Sequence, residues 1–193
     1  MHVKKMTHKL MIKAMKDSSV MRVLELGSGK STFWFRNHMK RRGGFCLSLE
    51  SDERWYDNLV KSLPDDEYGE VVYSPIICTL ELGCRYDYEL SGLFDLILID
   101  GPGILNEEQT QCMESYLRKT HSCLNHARRS GAQSASLLDY VKDHAAKYII
   151  VDCRKSSVMH YYFSPAGKLF KWRLAKGPVI YKKLPSATLL ERI

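Results

Sequence analysis

The chain has 193 residues, 45% hydrophobic and 26% charged. That composition fits one soluble globular domain and excludes a disordered chain, a collagen-like repeat and a disulfide-dominated miniprotein. Lys and Arg number 29 against 22 Asp and Glu, and the formal charge of +7 favours anionic partners, nucleic acid among them.

The basic residues are scattered, with short clusters at Lys40-Arg41-Arg42 and Arg128-Arg129. A basic amphipathic helix is predicted at the start, with Met6, Leu10, Met11, Ala14 and Met15 at helical spacing among lysines. It suits a membrane surface, a lid or, in the plainer reading, the edge of the domain. Strand one follows over Val20–Leu26 and breaks at Gly27-Ser28-Gly29. A helix over Lys30–Arg41 leads through the Gly43-Gly44 turn into strand two, Phe45–Glu50. Asp52 is placed to cap a helix carrying Trp55, Leu59, Val60 and Leu63 and ended by Pro64. Strand three is Val71–Ser74, and strand four, Phe94–Asp100, is almost continuously apolar, as a strand buried on both faces should be.

Asn106 and Gln109 read as a capping box opening a helix with Met113, Tyr116 and Leu117. Residues 125–136 read as a mobile loop, and a helix with Leu137, Leu138 and Val141 precedes strand five, Tyr148–Asp152. A right-handed crossover needs about a dozen residues, so Ser156–Phe163 is expected as a crossover helix. The alternative is a hairpin of Val158–Phe163 against Leu169–Leu174. Strand six is then Lys168–Leu174, and strand seven, antiparallel to it, is Val179–Leu184.

Strands alternating with helices point to a mostly parallel α/β sheet with helices on both faces; seven strands are expected, in the order 3-2-1-4-5-7-6 with strand seven antiparallel. The expected organisation is one domain: an N-terminal amphipathic helix in residues 1–18, a core over 19–185 and a tail over 186–193. Cys46, Cys78, Cys84, Cys112, Cys123 and Cys153 form no CxxC pair and no zinc-like cluster, so free thiols in a reducing compartment are expected. No apolar run reaches the ~18–20 residues of a membrane span. Met1–Lys5 lacks the apolar core of a signal peptide, so the expected location is cytoplasmic.

The segment richest in chemistry is Glu25-Leu26-Gly27-Ser28-Gly29-Lys30-Ser31, between a strand and a helix. Glycines there let backbone approach a ligand closely. An ATP-binding P-loop needs a glycine where Leu24 stands, and a dinucleotide fingerprint needs one where Thr32 stands. An acid ending strand one, GxG, and a second acid ending strand two together resemble the class I S-adenosylmethionine-dependent methyltransferases. Their first motif matches Glu25, Gly27 and Gly29, with Ser31 at the last glycine. Their strand-two acid matches Glu50, and the acid ending strand four matches Asp100 in Asp100-Gly101-Pro102. The chain departs from the family at strand three, where Ser74 and Ile76 stand in place of an acid.

The resemblance covers about residues 20–185 and implies a Rossmann-like three-layer sandwich, S-adenosyl-L-methionine as cofactor, and methyl transfer to an O or N acceptor. It implies cofactor contacts at Glu25, Gly27, Ser28, Gly29, Ser31, Glu50, Ser51 and Asp100. Glu50 would take the ribose hydroxyls, and Glu25 the ammonium. Asp100 is the expected group to orient or deprotonate the acceptor, with Asp152, ending strand five, at the same edge. These two carboxylates have no third ligand by spacing, so no metal is expected, and none of His121, His126, His144 and His160 is singled out as a base. The acceptor, a small molecule or a macromolecule, is not specified. The alternatives are a nicotinamide-dependent oxidoreductase using the same loop, and a catalytically silent binding module with a basic surface.

Overall fold

In a computed structural model, the residues described are 5–81, 83–101, 105–120, 137–138, 140–152, 170–173 and 187–192. Helix α1 (Lys5–Ala14) is followed by β1 (Arg22–Leu26), α2 (Lys30–Arg42), β2 (Phe45–Glu50), α3 (Glu53–Val60) and β3 (Gly69–Tyr73). A hairpin of β4 (Ile76–Thr79) and β5 (Gly83–Tyr86) leads to β6 (Phe94–Ile99), α4 (Glu107–Thr120), β7 (Ala145–Asp152), β8 (Phe170–Arg173) and β9 (Ala187–Arg192).

Seven strands form one sheet in the order β3-β2-β1-β6-β7-β9-β8, and β4-β5 stands apart. Strands β3, β2, β1, β6 and β7 run parallel, and β9 is antiparallel to both β7 and β8. This is the mostly parallel α/β sheet that the strand–helix alternation predicts. It differs in detail: the hairpin adds two strands, and the antiparallel strand beside β7 lies at Ala187–Arg192 rather than at 179–184. Residues 179–184, the loop at 125–136 and the proposed helix or hairpin at 156–163 fall outside the described residues.

The expected tail over 186–193 is therefore corrected, because residues 187–192 are an interior strand of the sheet. Its buried pair Leu189 and Leu190 is only two residues long, bounded by Glu191 and Arg192, too short a run to signal a strand by periodicity. The hairpin also overturns the expectation of free thiols, since Cys78 and Cys84, opposite each other in register, are disulfide-bonded. Cys46 and Cys112 are free.

The period of two along each strand divides the core. Leu24, Leu26, Leu47, Leu49, Ile97, Ile99, Ile149 and Val151 pack on one face with Tyr86, Phe94, Leu137 and Leu138. Val23, Cys46, Leu96, Leu98 and Ile150 pack on the other with Leu10, Met11, Phe35 and Met39. Thus α1 turns its apolar side onto the sheet, over the interior strands β7 and β9 rather than at an edge. Among the described residues no helix is long and apolar enough to cross a membrane.

Candidate functional site

Parallel strands bring their carboxyl ends to one edge, and backbone hydrogen bonds lock four of those ends in a row. Ser74 N donates to Glu50 O (2.7 Å), Gly27 N to Leu49 O (2.9 Å), and Asp100 N and Gly101 N both to Leu26 O (2.9 and 2.6 Å). The sequence runs leftward from β1 through β2 to β3 and rightward to β6 and β7, so the topological switch point lies between β1 and β6, where such sheets bind ligands. The sheet alternation also sorts the acids. Glu25 follows Val23, Glu50 follows Cys46 and Ser48, Asp100 follows Leu96 and Leu98, and Asp152 follows Ile150, all at steps of two on the face covered by α1 and α2.

Glu50 is 6% exposed, and both carboxylate oxygens are used. Oε2 accepts from Ser28 N (2.9 Å) and Ser28 Oγ (2.7 Å), and Oε1 from Ser51 N (2.8 Å) and Asp52 N (2.9 Å). Three of these donors are fixed backbone N–H groups. Only the Ser28 hydroxyl can rotate away, so it is the group that yields if another hydroxyl comes to this carboxylate. Trp55, on α3, closes the same corner by donating its indole N–H to Ser28 O (3.0 Å), and Asp52 caps α3 through Trp55 N (2.9 Å).

Glu25 lies underneath the loop and is fully buried. Its Oε2 accepts from Thr32 Oγ1 (2.6 Å) and Ser48 Oγ (2.7 Å), and Thr32 Oγ1 in turn accepts from Gly29 N (2.9 Å). Glu25 thereby fixes the loop and the start of α2 from below, through Thr32. Burial pushes its carboxyl up to about 7, against the opposing hydrogen bonds of Ser31, Thr32 and Ser48 and with the Asp100 charge adding to the rise. Oε1 has no hydrogen-bond partner in this structure.

Gly27 has φ +89°, and a Cβ there would meet Gly101 N at 2.4 Å; a Cβ on Gly101 would meet the Tyr86 hydroxyl at 2.5 Å and Gly27 Cα at 2.6 Å. Only two glycines can pack at this crossing of the β1 and β6 ends. Gly29 differs: nothing lies within 4 Å of its Cβ position, so the loop fronts open space. A second unsatisfied polar atom, the buried Ser74 Oγ, belongs to the residue after β3, joined to Glu50 through its N–H.

The structure thus brings together Glu25, Gly27, Ser28, Gly29, Ser31, Glu50, Ser51 and Asp100 around one loop. Asp152 lies one strand further on, 4% exposed, accepting from Thr7 Oγ1 of α1 (2.5 Å). His144 Nδ1 contacts Gly92 O (2.9 Å), away from this edge, and His121, His126 and His160 are not among the described residues. Among the described residues no three His, Cys, Asp or Glu side chains could hold a metal. From the sequence no site role is expected for Thr32, Ser48, Ser74, Trp55 and Tyr86. For Ser48 a signal existed, a lone hydroxyl inside the apolar run of β2.

This fold is that of the class I S-adenosylmethionine-dependent methyltransferases. Among solved structures it resembles an rRNA methylase from Streptococcus thermophilus (13% identity, TM-score 0.54, 100% of this chain and 99% of that one). It also resembles a proposed methyltransferase from Streptococcus mutans in complex with S-adenosylhomocysteine (8% identity, TM-score 0.60, 100% of both chains). A third is a proposed O-methyltransferase from Klebsiella pneumoniae (16% identity, TM-score 0.57, 99% and 81%). No protein-family model matches the sequence, and no curated protein matches it.

Proposed function

We propose that the chain is an S-adenosylmethionine-dependent methyltransferase acting on an O or N acceptor. The observation that carries this reading is Glu50: a nearly buried carboxylate at the edge of the glycine loop, with one of its four donors on a side chain free to rotate. The donor set fits the cofactor, since Glu50 Oε2 can accept a ribose hydroxyl where Ser28 Oγ yields, Gly29 leaves room, and Ser74 Oγ is a polar atom without a hydrogen-bond partner beside Glu50. When bound, the cofactor supplies an electrophilic methyl group on a sulfonium.

The chain's own residues bind, orient and move a proton. Gly27 and Gly29 hold backbone at the ligand's side, Ser51 N–H fixes one Glu50 oxygen, and Ser28 yields the other. Ser31 and Thr32 open α2, and Glu25 braces that turn rather than facing a ligand. Asp100, half-buried at the end of β6, is separated from Glu50 by one intervening strand, about 10 Å across. There it orients the acceptor and takes its proton. Asp152 is spent on α1 and serves placement.

Calorimetric titration of S-adenosylhomocysteine into the folded wild type and Glu50→Ala tests the reading. Hydrogen bonds to a charged group contribute roughly 1.5–3 kcal/mol each, so affinity should fall at least about tenfold. Unchanged affinity would move the cofactor elsewhere, and NAD binding in its place would favour the oxidoreductase.

A further inference from the structure

Charge is distributed unevenly between the two flanks of the site. Residues 5–42 hold ten Lys and Arg against two acids, whereas residues 50–70 hold eight acids against two bases. Both acids of the first set are turned inward or paired. Glu25 is fully buried, and Asp17 is bound by Ser19 Oγ (2.6 Å), Lys147 Nζ (3.1 Å) and the Tyr148 hydroxyl (3.2 Å). Helices α1 and α2 carry no acidic residue at all. Of the bases, Arg36 is buried against Asp66 (2.8 Å) and Lys40 lies 4.0 Å from the same carboxylate, whereas Lys9, Lys13 and Lys16, one ridge of α1 and its C-terminal end, are exposed, as are Lys30 and Arg41 of α2.

Lys13, Lys40, Arg41 and Arg42 stand in last turns, where the helix dipole favours them, but the cations at the other ends are not explained by helix stability. Lys5 opens α1 and Lys30 opens α2, with no acid in either first turn, so positive charge sits at the positive end of each dipole. The two helices meet where the His8 ring contacts Trp34 edge-on (centroids 5.7 Å), with the His38 ring tilted by 35° against Trp34 (3.9 Å). Thr7, bonded to Asp152, pins the first turns of α1 to the carboxyl edge, one strand from the end of β6 and Asp100.

We infer that the α1–α2 face binds single-stranded nucleic acid and leads it to the carboxyl edge of the sheet. The cations run along helices about 15 and 20 Å long, more than a small anionic metabolite spans and suited to a phosphodiester backbone. The His8–Trp34–His38 rings between the cations offer the aromatic surface on which unpaired bases stack. A membrane surface fits worse, because Leu10, Met11 and Ala14 of α1 and the following Met15 are buried against the sheet, and Ile12 alone among the described apolar side chains of α1 is exposed, too little apolar surface for insertion. The inference rests on the proposed methyl transfer only in taking the bound strand as methyl acceptor.

Fluorescence anisotropy with a labelled 20-nucleotide single-stranded RNA, its DNA counterpart, its RNA duplex, and vesicles with one-quarter phosphatidylserine tests it on the full chain. Three or more phosphate contacts predict an affinity loss of about tenfold or more between 50 and 200 mM salt. The triple variant Lys9→Glu, Lys13→Glu, Lys16→Glu changes exposed residues alone. It should melt like the wild type, bind RNA at least about tenfold more weakly and show a shallower salt slope, while Lys61→Glu, across the site, binds normally. The duplex should bind more weakly than the single strand. Equal binding by the triple variant, a flat salt response, a duplex preference or tighter binding to vesicles would overturn the inference. A chain that binds S-adenosylhomocysteine but no RNA or DNA would sink this inference and spare the proposed function; strand binding without S-adenosylhomocysteine binding would do the reverse for the face itself.

Discussion

Burial holds the Glu25 carboxyl at about 7, above its ordinary 4.5, so the native state keeps a proton that the unfolded chain has already released. Between these values the folded protein binds more protons, and raising the pH therefore costs stability. The contribution is complete below about 4.5 and lost by about 7. A shift of that size corresponds to on the order of 3 kcal/mol. Glu25→Gln cannot titrate and should flatten the pH dependence of urea-unfolding stability across this interval, making the variant relatively more stable at pH 8 than at pH 5. Parallel stability curves for variant and wild type would show that Glu25 is ionised throughout. The motif in the sequence places an acid here but does not reveal which side of the loop it occupies. Period-two alternation with Val23, read together with the hydroxyls of Thr32 and Ser48, contains that answer, and it explains why the expected ammonium contact becomes a brace.

At the scale of elements, the glycine loop is two devices in three residues. Gly27 and Gly101 exist for packing of strand ends, and Gly29 for space in front of the loop. Adding a methyl at Gly27 meets backbone in a left-handed conformation, and at Gly101 it meets Gly27 and Tyr86. Each alanine variant should lose about 2 kcal/mol or more in urea unfolding. Gly29 has φ 174°, extended backbone open to any residue, so Gly29→Ala should fold with less than about 1 kcal/mol lost and still bind S-adenosylhomocysteine more weakly. Normal binding by Gly29→Ala would remove the ligand from that space. Local signals carried most element boundaries. Asn106 and Gln109 exchange the two bonds of their capping box (2.8 and 3.0 Å), and β2 spans the expected Phe45–Glu50. The hairpin was illegible because strands of four residues carry too little pattern, and two cysteines six residues apart do not announce their pairing.

For the molecule as a whole, the parallel α/β character of the sheet followed from alternation of strands and helices, whereas the covering of its edges depended on long-range contacts that no local pattern encodes. Asp152 is the clearest case. Its position at the end of a strand suggests a second acid beside Asp100, but its carboxylate accepts a hydrogen bond from Thr7 of α1, 145 residues away in sequence. If the bond clasps α1 to the carboxyl edge, Thr7→Val and Asp152→Ala should each destabilise the protein, and the double variant should lose less than their sum. A hydrogen bond to a carboxylate predicts a coupling energy of roughly 1.5–3 kcal/mol in such a cycle. Hydrogen exchange should accelerate in α1 for both single variants, with S-adenosylhomocysteine affinity preserved, because Glu50 and the loop lie two and more strands away. Additive destabilisation with unchanged α1 exchange would free Asp152 from this duty and return it to the acceptor side of the reaction beside Asp100.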